Sequence, residues 1–111
     1  MPDEIKFWDQ SKRLDWFRAR ALTRKIAERP EILCELRECI EKYWGDDPSK
    51  YRSLRIWRGI LGNSPEEFAR VLLAGTPEAE EARESYPPYV ALTPQERVEY
   101  IEASRREVAL A

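Results

Sequence analysis

A chain of 111 residues, 36% charged and 42% apolar, is long enough for one folded domain and too hydrophobic to be disordered. The net charge of −2 argues against general binding to a phosphate backbone. The absence of histidine excludes a Ser-His or Cys-His nucleophile and, with only two cysteines, leaves zinc without its usual ligands.

The charge is unevenly spread: residues 1–62 carry 14 Lys/Arg against 11 Asp/Glu (+3), and residues 63–111 carry 5 against 10 (−5). From about Asp3 to Glu28 there is no Pro or Gly. Leu14, Phe17, Ala21, Leu22 and Ile26 recur at helical spacing among Lys12, Arg13, Arg18, Arg20, Arg24 and Lys25, which predicts a long basic amphipathic helix. Phe7 and Trp8 either precede it as a hook or belong to it. After Pro30, the positions of Ile32, Leu33, Leu36, Ile40, Tyr43 and Trp44 predict a second helix with a core face. Gly45 is read as its left-handed stop. Cys34 and Cys39 lie roughly 140° apart around that helix, so they cannot pair within it and are read as ordinary thiols.

Four Asp/Ser/Thr-Pro starts then punctuate the chain, at Asp47, Ser64, Thr76 and Thr93, each placing proline at a first helical position. The third helix, about Pro48 to Leu61, carries Tyr51, Leu54, Trp57 and Leu61 on one side and a basic edge of Arg52, Arg55 and Arg58. The fourth sets Phe68, Val71 and Leu72 inward. A short fifth helix to about Ser85 offers only Ala79 and Ala82, and the last, from Thr93, shows Val98, Ile101 and Val108 on one stripe. Between these two, Pro87 and Pro88 force an extended crossing that carries Tyr86, Tyr89, Val90 and Leu92.

The resulting expectation is an all-α fold, a compact bundle of five to six short helices with a proline- and tyrosine-rich crossing before the C-terminal helix. Residues 1–75 form the helical core. Residues 76–111 form an acidic C-terminal part of the same domain, with helices too poor in apolar residues to be buried on both sides. There is no apolar run near about 18 residues and no basic-then-apolar leader. Neither a membrane span nor a signal peptide is therefore expected, and the chain is read as cytoplasmic.

Three groups of residues invite a function. Adjacent acids (Asp46-Asp47, Glu66-Glu67, Glu80-Glu81) sit where they complement helix dipoles, so no catalytic role is assigned to them, and no cofactor is expected. The edge formed by Arg52, Arg55 and Arg58 and the basic first helix are the candidates for nucleic acid, although the helix after it opens with Glu66-Glu67, the wrong charge for a groove. The crossing is either a clamp over the core or a preorganised strap for a partner protein, with Tyr86, Tyr89, Val90, Leu92, Val98 and Ile101 as anchors and the neighbouring acids facing a basic surface.

Glu81-Ala82-Arg83, Ser85, Pro88-Tyr89 and Leu92-Thr93-Pro94-Gln95-Glu96-Arg97, preceded by Trp57, Leu61, Ser64-Pro65-Glu66-Glu67 and Leu72-Leu73, resemble the closing pattern of small helical proteins widespread in bacterial genomes. The interval between Arg83 and Pro88 is shorter here than in that pattern. The resemblance implies an antitoxin-like partner of a toxin and brings no functional residues with it. The reading is thus a non-enzymatic protein-binding module, most specifically the neutralising partner of a bacterial toxin. The alternative is a small DNA-binding transcriptional regulator, and either is compatible with a homo-oligomer.

Overall fold

The fold follows from where this chain starts and stops its helices. A computed structural model describes residues 10–85 and 88–110. Six α-helices occur there: α1 (Gln10–Glu28), α2 (Ile32–Trp44), α3 (Tyr51–Leu61), α4 (Pro65–Leu72), α5 (Pro77–Glu84) and α6 (Pro94–Leu110). Short 3-10 turns at Pro48–Lys50 and Pro88–Ala91 precede α3 and α6, and no strand occurs among the described residues. The all-α bundle is therefore the architecture.

Each expected start is built as its chemistry requires. The side chains of Asp47, Ser64 and Thr76 accept from the amides of Ser49 (3.0 Å), Glu67 (3.3 Å) and Ala79 (3.1 Å). At α6 the capping box is complete: the Glu96 amide donates to Thr93 Oγ1 (3.1 Å) and the Thr93 amide donates to Glu96 Oε1 (2.8 Å).

One helix end departs from expectation: Gly45, read as a left-handed stop, has φ −58°. Gly45 is needed for another reason, since a Cβ there would run into the Glu41 carbonyl. At the ends of α3, α4 and α5, terminal carbonyls, which carry the negative end of the helix dipole, receive side-chain donors from other helices. Arg37 Nε donates to Leu61 (2.7 Å), Arg83 Nη1 to Leu72 (2.9 Å) and Ala74 (2.7 Å), and Arg18 Nη2 to Arg83 (2.8 Å). These caps tie α3 to α2, α4 to α5 and α5 to α1, so they fix tertiary geometry while satisfying local backbone.

The core joins Leu22 and Ile26 of α1, Leu36 and Ile40 of α2, Leu54, Trp57 and Leu61 of α3, and Phe68 and Leu72 of α4. On α1 it is Ala19 that is buried, and Ala21 is only half-buried. The helix is sandwiched, turning Leu22 and Ile26 to the core and its outer side to α6. Tyr43 and Tyr51, expected on core stripes, are 59% and 62% exposed. Trp44 and Leu54 take the inward positions at that end of the α2–α3 pair.

Of the residues beyond Gly75, α6 lies on the surface, whereas α5 and the turn after it enter the core. Ala79 and Ala82 are buried because methyl side chains let α5 approach α1, α3 and α4 closely, and Tyr89 from the following turn enters the same core. α6 packs chiefly along α1. The Lys25–Glu96 ion pair (2.7 Å) joins the end of one to the start of the other, so the two helices run antiparallel.

Candidate protein-interaction surfaces

The crossing segment is a clamp at Tyr89. Its side chain is 2% exposed, its ring stands edge-on to Trp57 (6.2 Å, 87°), and the Arg18 guanidinium lies 4.1 Å over it. Burial raises the phenol pKa far above its ordinary value, against the opposing pull of Arg18. Tyr89, expected as a partner anchor, is thus a core residue, held between Arg18 of α1 and Trp57 of α3. Leu92 is half-buried against the core. Lys25 pins this turn by donating to the Ala91 carbonyl (2.5 Å) and to Glu96 (2.7 Å). Tyr86 and the Val90 side chain lie outside the described residues.

The polar residue that sequence reasoning missed is Arg83. It is 4% exposed, with its guanidinium spent on the Leu72 and Ala74 carbonyls; burial lowers its pKa, opposed by Tyr89 and nearby acids. One signal was available. Arg83 follows Ala79 by four residues, on the same stripe as the only apolar contacts α5 offers.

The basic edge of α3 is largely neutralised within the fold. Arg52 Nε donates to Glu81 of α5 (2.7 Å), and Arg58 makes a two-pronged contact with Glu41 of α2 (both 2.6 Å). These hydrogen bonds raise the pKa of both arginines and lower those of the acids. Arg55 alone of the three has no carboxylate partner among the described residues.

The last two sequence-chosen anchors lie on α6, away from Tyr89. Val98 is 48% exposed and Ile101 half-buried, and Ser104 is the one buried side chain among those described on this helix. On another flank of α6, a groove of about 420 Å³ opens against α1. Ala21, Tyr100 and Ala103 give it a small apolar surface over the buried ring of Phe17. Arg20, Arg24, Lys25 and Arg106 face Glu28, Glu96 and Glu99 around it. Arg20 stacks over Phe17 (4.4 Å) and Lys25 pairs with Glu96.

No group of acidic or cysteine residues suited to a metal occurs among the described residues, and no helix among them is long and apolar enough to cross a membrane. Cys34 and Cys39 are free thiols, and partial burial raises the pKa of Cys39. Comparison with known protein families, with curated proteins and with solved structures gave no match.

Proposed function

We propose that the protein is a protein-binding module and that α6 carries the contact. The supporting observation is the state of that helix: Val98 stands 48% exposed and Ile101 half-exposed, on a helix whose described side chains bury only Ser104. Ordinary surface helices sink their apolar stripe into their own core. An apolar flank left outward, among acids such as Glu102, suits a partner with an apolar cleft and a basic rim. The narrower role of neutralising a toxin rests on the resemblance alone. Duplex DNA binding through Arg52, Arg55 and Arg58 is the second reading, and it requires Glu81 and Glu41 to release two of the three.

The test is affinity capture from host lysate with quantitative mass spectrometry, comparing wild type with a Val98→Asp/Ile101→Asp double variant whose folding is checked by circular dichroism. One stoichiometric protein, recovered with wild type and reduced at least about tenfold by the variant, supports this surface. Equal recovery by both, or recovery of nucleic acid alone, refutes it.

A further inference from the structure

The α1/α6 groove does not contain the exposed Val98 and Ile101, and its chemistry asks for a different occupant. Most of its lining is charged, and between the charges Ala21 and Ala103 are small enough to let another helix approach. Its charges are mixed. Arg24 and Arg106 have no ion-pair partner among the described residues, and neither do Glu28 and Glu99 in the same groove. A polyanion would meet the two carboxylates and a polycation the two guanidiniums. A surface carrying both signs unpaired is best matched by one that carries them in the complementary order.

We infer that the groove is a self-association face, closed by a second copy of the chain in a symmetric antiparallel four-helix arrangement. The register follows from the Lys25–Glu96 pair, which sets Arg24 level with the first turns of α6, where Glu99 lies. A twofold axis running along the groove keeps these levels and places α1 of one copy beside α6 of the other. Arg24 of each copy then faces Glu99 of its mate, twice per dimer, as an isologous interface requires. Both helices are already held by the monomer, so association needs no refolding.

The test is sedimentation velocity of the full chain across a concentration series, with Arg24→Glu, Glu99→Arg and their equimolar mixture. Wild type is expected to dimerise. Each single reversal sets two like-charge pairs in its own dimer and should weaken it at least about tenfold. The mixture should recover the dimer. There the carboxylate introduced at position 24 of one variant meets the guanidinium introduced at position 99 of the other, and the native Arg24 and Glu99 meet at the second contact. Circular dichroism separates loss of dimer from loss of fold. A wild type that stays monomeric at its solubility limit overturns the inference, and so do reversals that leave dimerisation unchanged or a mixture that fails to restore it. Partner capture through Val98 and Ile101 is read separately, since neither variant alters that flank.

Discussion

Replacing Tyr89 by alanine tests whether the crossing is part of the core. The side chain is 2% exposed, so the substitution removes a full aromatic ring from the interior. Buried aromatic-to-alanine changes cost about 3–5 kcal/mol, through lost transfer energy and the cavity left behind. Two specific contacts fall within that figure. The edge-on packing against Trp57 is the kind of pair that contributes about 0.5–1.5 kcal/mol, and the Arg18 guanidinium over the ring adds about 1–2 kcal/mol where desolvated. Against a total stability of about 5–15 kcal/mol for a small domain, the loss is severe. With a urea m-value of about 1–3 kcal/mol/M, it lowers the unfolding midpoint by roughly 2 M.

Tyr89→Phe keeps the ring and removes only the hydroxyl, so it should cost about 1 kcal/mol. Urea titrations followed by far-UV circular dichroism and tryptophan fluorescence measure both. An alanine variant with the wild-type midpoint, or a phenylalanine variant as damaged as the alanine one, would refute the clamp. By the same logic, truncation after Gly75 removes Ala79, Ala82, Arg83 and Tyr89 from the interior and should abolish cooperative unfolding.

Arg83→Met keeps the aliphatic stem but leaves the Leu72 and Ala74 carbonyls without their donor; a loss of about 2–4 kcal/mol is expected in thermal unfolding, with Arg83→Lys in between. Gly59→Ala should stabilise by about 0.5–1 kcal/mol, because a Cβ there meets nothing within 4 Å and glycine inside a helix costs backbone entropy. Glu96 supplies a pH prediction. Burial works to raise its pKa, but hydrogen bonds from Lys25 and Thr93 outweigh it and hold the carboxyl below its ordinary 4.5. A carboxyl with a lowered folded pKa stabilises above its unfolded value and loses that contribution as pH falls through the folded one. The stability difference between wild type and Glu96→Gln, measured by denaturant titration, should therefore be present at neutral pH and close below about pH 4.5.

What the sequence determined by itself is local. Asp47, Ser64, Thr76 and Thr93, each followed by proline, start helices because a side-chain oxygen and a missing amide act within one turn. The stripes of α2 and α3 likewise placed Leu36, Ile40, Leu54, Trp57 and Leu61 in the core. Tertiary structure decided what those rules leave open. Tyr89 and Tyr43 are the same residue type, yet one is buried and the other exposed, because a ring goes inward only where neighbouring helices leave room for it. Arg83 entered the core because the end of α4 presents carbonyls that need a donor, a demand invisible in the sequence of α5. The edge of Arg52 and Arg58 was legible as a row of charges, but its neutralisation depended on Glu81 and Glu41, which lie far along the chain and meet it only when α5 and α2 pack against α3. Charge and apolarity are properties of residues. Exposure and pairing belong to the packed whole.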